Sequence, residues 1–339
     1  MAKSGRGFHL PEESKLHART FMQWPVNQQI HPDNAFLDVL QDSVAEVANT
    51  ISEFEPVVML MDPKYQKSSQ RKLGRKIEVL DIPTDDLWCR DAGPLFITNA
   101  KGEIAVAHFK FNGWGNKQSH VNDGQIARRV AKRLGIPLID SGLVGEAGGV
   151  ETDGDGTLIA HESCWVNTNR NTEDRSTIEK RLKSALGVTK MIWAPGIKGA
   201  DITDYHIDAL ARFVRPGVVV IQLPDKPDKS DPWSIAAFET LKILRNATDA
   251  KKRPLEILTL PEPHNTRVTT PDFVASYVNY YVCNGAVIAA QFGDRKADAE
   301  AKATLKRLYP EREVIMLDVD PIGETGGGIH CATQQQPMV

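Results

Sequence analysis

The chain has 339 residues, 41% of them hydrophobic, and its 41 lysines and arginines against 44 aspartates and glutamates leave a net charge of -3. Those charges are well mixed, so the sequence offers neither a basic footprint for nucleic acid nor a polybasic membrane anchor. Met1 to Gly7 carry no apolar stretch behind their charges and the longest apolar runs are strand-sized, which predicts a cytoplasmic protein without a membrane span.

In chain order, one pattern recurs five times: an amphipathic helix, a short apolar strand, and a turn rich in Pro, Gly or Asp. The first helix is predicted over 35–53, where Phe36, Val39, Leu40, Val44, Val47 and Ile51 recur at helical spacing, and it leads to the apolar run Val57 to Met61. Helices over 123–134, 178–186, 235–244 and 297–308 lead in the same way to strands at 137–139, 191–193, 255–260 and 314–317. Further strand-like runs lie at 94–98, 104–109, 218–223 and 286–292. Such alternation predicts an α/β protein whose units need their neighbours to cover their apolar faces. No Gly/Ser/Pro-rich linker divides the chain, so one domain spanning 1–339 is expected.

Four polar clusters fall at the ends of strand-like runs, where α/β folds place chemistry. In Asp85-Asp86-Leu87-Trp88-Cys89-Arg90-Asp91, the alternatives are a surface ion-pair knot and an acidic, aromatic-walled slot for a planar cation. Glu146 stands before Gly148-Gly149, where a bare backbone leaves room to reach the carboxylate; the following Asp153 to Gly156 reads as a hairpin turn rather than a calcium loop. In Asp204-Tyr205-His206-Ile207-Asp208, an extended segment would put His206 and Asp208 on one face, with Asp204 and Asp208 tuning the imidazole. A metal there would need further convergent ligands from distant segments. The fourth cluster is Gly326-Gly327-Gly328-Ile329-His330-Cys331. Consecutive glycines permit backbone conformations closed to other residues and close approach of a ligand. The remaining cysteines, Cys89, Cys164 and Cys283, form no C-x-x-C pair, so a functional cysteine acts alone. Adjacent residues of a strand point oppositely, which favours His206 over His330 as the partner of Cys331.

Taken in order, Trp88-Cys89-Arg90-Asp91-Ala92-Gly93-Pro94, Phe111-Asn112-Gly113-Trp114-Gly115, Glu146 with its glycines, Asn169-Arg170-Asn171, His206-Ile207-Asp208, Tyr277-Val278-Asn279, Gly327 to Cys331 and Thr333 to Pro337 resemble the agmatine deiminase family. That group is related to bacterial peptidylarginine deiminases within the guanidino-group-modifying enzymes. The resemblance covers nearly the whole chain. It implies a five-bladed α/β propeller, the pentein fold, with pseudo-fivefold units around a central site. It further implies Cys331 as nucleophile, His206 as general acid and base, and Asp91 and Asp208 on the guanidinium nitrogens, with Glu146 lining the pocket. Trp88, Asp86 and Gly328 are further candidates for the substrate pocket, and Trp114 either walls it or packs in the core. The sequence departs from the family's usual stretches at Ile202, Tyr205, Leu87 and Ala209.

The implied reaction is hydrolysis of agmatine to N-carbamoylputrescine and ammonia through a thiouronium on Cys331, with no metal, nucleotide or organic cofactor and a small cationic guanidine as the only required partner. Assembly into a homo-oligomer is left open. Alternatives are a deiminase of free or peptide-linked arginine, an amidinotransferase that passes the amidino group to an amine, and a silent binder of cationic amines.

Overall fold

Among the residues described by the computed structural model, 7–339, sixteen strands form five separate sheets; most of the N-terminal stretch read for a leader, 1–6, lies outside the described residues. In the first unit, β1 (His17–Gln23) leads through α1 (Asn34–Ile51) to the parallel strand β2 (Val57–Met61), and β3 (Glu78–Asp81) extends the sheet. The other four share one plan: an antiparallel hairpin, a helix, then a strand parallel to the hairpin's second strand. They are β4 (Leu95–Thr98), β5 (Ile104–His108), α2 (Ile126–Leu134) and β6 (Leu138–Asp140), followed by β7 (Val150–Thr152), β8 (Thr157–His161), α3 (Arg175–Leu186) and β9 (Lys190–Ala194). Next come β10 (Ala211–Arg215), β11 (Val218–Leu223), α4 (Pro232–Asn246) and β12 (Glu256–Pro261), and last β13 (Tyr281–Cys283), β14 (Ala286–Ala290), α5 (Arg295–Leu308) and β15 (Glu313–Leu317). The final strand, β16 (Thr333–Pro337), runs antiparallel to β1 with Gln334 opposite Phe21. The C-terminus thereby supplies the hairpin partner that the first unit lacks.

Local chemistry explains these elements. Among the described residues, four of the five long helices begin on an aspartate whose carboxylate accepts backbone N–H groups, at Asp33, Asp174, Asp231 and Asp294. Each such cap satisfies donors that the first turn cannot, for about 1 kcal/mol. The five residues of β2 are all buried, as befits a strand covered on both faces. On α1, Leu37, Leu40, Val44, Val47, Ala48 and Ile51 form the buried stripe. The helices also join neighbouring sheets: α1 touches β14, α4 touches β9 and α5 touches β12. Among the described residues no helix is long and apolar enough to cross a membrane.

Candidate active site

Each unit delivers one segment to a common centre, and it is always the segment that enters the hairpin's first strand. Ahead of β4 lies the helical turn Cys89–Ala92, ahead of β7 the turn Ala147–Gly149 and ahead of β10 the turn Ile207–Ala209. Asn279 precedes β13, and a turn closed by the Ala332 N–H on the Gly328 carbonyl precedes β16. The turn Ala147–Gly149 touches both of the other two, and the Arg90 N–H on the Cys331 carbonyl joins the last turn to the first, bringing residues more than 200 positions apart in sequence into one site.

Cys331 is buried there, 9% exposed. Its Sγ accepts a hydrogen bond from Asn279 Nδ2 at 3.2 Å and lies 3.6 Å from Asp208 Oδ2. Burial, then the Asp208 and Asp91 carboxylates, push the thiol well above its ordinary pKa, against smaller opposing effects from Gly328 and Asn279. Asp208 is held below the usual carboxylate range: burial would raise it, and His330, whose Nδ1 lies 2.7 Å from Oδ2, outweighs burial together with His206 and Arg90. The other nitrogen of His330 lies 2.9 Å from Glu13 Oε2. Glu13 in turn pairs with Arg90 at 3.0 Å and Arg212 at 2.9 Å. This buried network anchors His330 and, through it, Asp208.

His206 faces the thiol's carboxylate partners from the other side. Its Nε2 lies 3.2 Å from Glu146 Oε2 and its Nδ1 lies 3.7 Å from Asp91 Oδ1. Burial alone would depress the imidazole, but Asp91 and then Glu146 overcome it and raise its pKa to about 9. Glu146 is itself fixed by Arg170, whose Nε donates to both carboxylate oxygens at 2.9 Å and whose Nη1 reaches Asp204 Oδ2 at 2.7 Å. Asp204, expected to tune His206, instead anchors Arg170. Lys117, Arg170 and Asn169 outweigh burial and bring its carboxyl down to about 2.

Asp91 completes the set. Trp114 Nε1 donates to its Oδ2 at 2.9 Å and the Gly148 N–H donates to its Oδ1 at 3.2 Å. Burial raises its carboxyl to about 6; His206 opposes that, while Asp208 and Glu146 add to it. Trp114 reaches Asp91 from an uncommon backbone. Gly113, Trp114, Gly115 and Asn116 all have positive φ, at 66°, 55°, 88° and 62°, with the Asn116 N–H on the Asn112 carbonyl and the Lys117 N–H on that of Gly113. This is one turn of left-handed helix. It costs a residue with a Cβ about 1–2 kcal/mol, so two such residues here represent strain kept at a site. Of the two readings open for Trp114, the structure gives it both: it is buried, and it also holds a carboxylate of the site.

Two buried polar atoms at the centre, Asp208 Oδ1 and His206 Nδ1, have no hydrogen-bond partner among the described residues. Unpaired buried acceptors and donors are costly and call for a ligand or water. Gly148 sits between them. A Cβ there would come within 2.8 Å of both Asp91 Oδ1 and His206 Nδ1, and 3.1 Å from Asp208 Oδ2. The bare glycine lets the imidazole and both carboxylates close in on one point of the backbone.

Several expectations need correction. The Gly326 to Gly328 run is not uniformly a conformational device, because only Gly326 has positive φ, at 93°. Gly327 is bare because any Cβ would collide with the Trp88 ring, and Gly328 because one would collide with Asn279. Trp88 therefore packs on the glycine run, and Gly328 lets Asn279 approach the thiol. His206 and Asp208 do not share an extended strand; Ile207–Ala209 is a 3-10 turn. His330 and Cys331 lie in a turn as well, so they do not point oppositely but meet at the same Asp208 oxygen. Arg90 is buried rather than part of a surface knot, and it binds Glu13 and Gln335 instead of the neighbouring acids. Asp86 has one carboxylate oxygen on His31 at 2.8 Å and the other on Gln118 at 2.9 Å. It braces the loop that carries Trp88 and Asp91. Asn279, Arg170, His330 and Glu13 were not assigned site roles from sequence. The signal available for Asn279 was positional, since it too stands just before a hairpin.

Comparison with known proteins places this arrangement. The solved agmatine deiminase of Enterococcus faecalis superposes with a TM-score of 0.90 at 26% identity, covering 99% of this chain and 98% of its own. The fold is thus the mixed α/β fold of the agmatine deiminases. A putative agmatine deiminase of Streptomyces coelicolor is 36% identical, with 97% of this chain and 99% of its own covered, and the agmatine deiminase of Medicago truncatula is 34% identical, with 98% and 97% covered. With a match to the model of that family over residues 9–337, the chain belongs to the Porphyromonas-type peptidyl-arginine deiminase family.

Proposed function

We propose that this protein is an agmatine deiminase, which hydrolyses agmatine to N-carbamoylputrescine and ammonia. One observation carries the reading: a thiol, an imidazole and two carboxylates converge in one buried centre, with Asp208 Oδ2 3.6 Å from Cys331 Sγ and Asp91 Oδ1 3.7 Å from His206 Nδ1. A guanidinium is planar, cationic and rich in N–H donors, so it matches carboxylates bidentately. Asp91 and Asp208 hold its nitrogens, and the unpaired Oδ1 of Asp208 gains a donor. The substrate's charge also offsets the two carboxylates that raise the Cys331 pKa, so binding favours the thiolate.

The thiolate attacks the central carbon, forming a C–S bond and a tetrahedral intermediate. His206, a protonated imidazole below about pH 9, gives its proton to the departing nitrogen as the C–N bond breaks. Ammonia leaves and a thiouronium remains on Cys331. Neutral His206 then takes a proton from water as its oxygen attacks the same carbon. Breaking the C–S bond yields the ureido product and restores the thiol. Glu146, locked by Arg170, orients the imidazole through both half-reactions.

The same reading makes the five units a closed five-bladed α/β propeller forming one catalytic domain. The pairing of β16 with β1 and the helices shared between adjacent sheets support it. An ammonia-release assay with agmatine, arginine, guanidinobutyrate and short arginine peptides tests the function. Release from agmatine with a ureido product is expected. Release only from arginine or its peptides, or formation of a new guanidine on an added amine, would overturn it.

A further inference from the structure

A cavity of about 640 Å³ is walled in part by segments of backbone that continue into the catalytic centre. Its walls come from the segments 200–205, 209–210, 274–276 and 324–326. The first leads into His206, the second follows Asp208, the third approaches Asn279 and the fourth runs into the glycines before Cys331. Each of these four segments is thus continuous in the chain with a residue of the site. At about 30 Å³ per molecule it equals roughly twenty waters, far more room than a four-carbon monoamine needs.

The lining is chemically one-sided. Asp201, Asp231, Glu262, Asp272 and Glu324 face it, and no lysine, arginine or histidine does so among the described residues. Asp201 and Asp231 are held by backbone donors, from Thr203 and Tyr205 and from Trp233 and Ser234. Glu262 has no such donor: burial pushes its carboxyl up, Asp231 adds to this and the exposed His264 opposes it. Asp201, Glu262 and Asp231 also act together on Tyr205, whose phenol is raised first by burial and then by those three. Aromatic faces complete the wall. Tyr205 and Trp233 meet edge to face at 4.7 Å and Phe273 lies among the other lining residues. Carboxylates beside aromatic rings in one cavity suit an alkylammonium group, which gains from both.

Resting on the deiminase reading above, we infer that this cavity receives an ammonium-bearing extension of the substrate, so that the preferred substrates are guanidines on a chain with more than one amine. Tyr205 fits such a role. It holds φ at 70° despite its side chain, immediately before His206, and its ring is packed between His161 and Trp233. Strain of this kind persists where the surroundings enforce it. It presents one residue to the cavity and the next to the chemistry.

The test compares ammonia release from agmatine and from agmatine bearing an aminopropyl arm on its primary amine, using the full chain. The extended substrate is expected to show about tenfold higher kcat/KM. The double variant Glu262→Gln/Glu324→Gln should lower its kcat/KM by about tenfold and leave that of agmatine within about twofold. Equal kcat/KM for the two substrates, or equal losses in the variant, would overturn the inference. A second arm titrates Cys331→Ala protein with spermidine, which has no guanidine, by calorimetry. Saturable binding that the two glutamine substitutions abolish is expected. Spermidine binding without ammonia from either guanidine would support the cavity and overturn the deiminase reading. Ammonia from agmatine without spermidine binding would do the reverse.

Discussion

His330 Nδ1 and Cys331 Sγ meet at one atom: Asp208 Oδ2 lies 2.7 Å from the first and 3.6 Å from the second. Neighbours in sequence thus converge on one carboxylate oxygen, which leaves Oδ1 of the same group unpaired and facing the centre. His330 is a positioning residue in this arrangement, fixed at its other nitrogen by Glu13. His330→Gln should lower kcat/KM by roughly 10- to 100-fold, the worth of a hydrogen bond to a charged group. Because His330 holds the Asp208 carboxyl down, its loss should raise that carboxyl and add a second protonation to the acid limb that Asp91 sets. A uniform loss at every pH would reduce His330 to a structural part.

The thiol responds to the same carboxylates. Asp208, after burial, is the largest cause of the raised Cys331 pKa, so Asp208→Asn should make Cys331 more nucleophilic while ending turnover. At fixed pH, alkylation by neutral iodoacetamide should speed up by about threefold for each unit by which the thiol pKa falls, the gain in thiolate being partly offset by its lower basicity. Peptide mapping separates Cys331 from the buried Cys89, Cys164 and Cys283. Slower alkylation would reverse the assigned electrostatics.

Activity should follow a bell. Asp91, raised to about 6, must lose its proton to hold a cation, so kcat/KM rises with pH through that value. His206, raised to about 9, must keep its proton to release ammonia, so kcat/KM falls through that value. The two groups are 3.7 Å apart, and the limbs therefore belong to the pair. Trp114→Phe removes the donor that lowers Asp91 and should shift the acid limb upward by about one pH unit. An unmoved limb would take Trp114 out of the site.

Gly148→Ala tests the close approach of these groups at the centre. Gly148 does not have a left-handed φ, so alanine suits its backbone, but the methyl group would crowd Asp91, His206 and Asp208. Folding should survive, with activity down about 100-fold, as small misplacements in a reacting geometry cost. Full activity with a cooperative wild-type melt would place the substrate elsewhere.

How much of this was legible in the sequence depends on what each segment packs against. The helix-strand units were readable because burial leaves a pattern: a stripe at helical period on α1 and an unbroken apolar run in β2, which is buried on both faces. The pairing of β1 with β16 was not, since Thr333-Gln334-Gln335-Gln336 carries no apolar alternation and gains its place from a partner more than 300 residues away. Cys331, His206, Asp91 and Asp208 could be picked out by motif, yet their mutual geometry could not. A period-two rule applied to 206–208 and 330–331 assumed strands where the chain makes turns. The roles of Asn279 and Glu13 were hidden for another reason: Asn279 stood in a motif without an assigned task, and both side chains acquire meaning only from the thiol and histidine that distant segments bring to them.

The most direct test of Cys331 as nucleophile is the intact mass of the protein after rapid acid quenching during turnover of agmatine. A fraction of the wild-type protein should gain the mass of agmatine less ammonia, on the peptide carrying Cys331, and Cys331→Ala should show neither the adduct nor turnover. Turnover by Cys331→Ala at the wild-type rate, with no adduct on any residue, would contradict it.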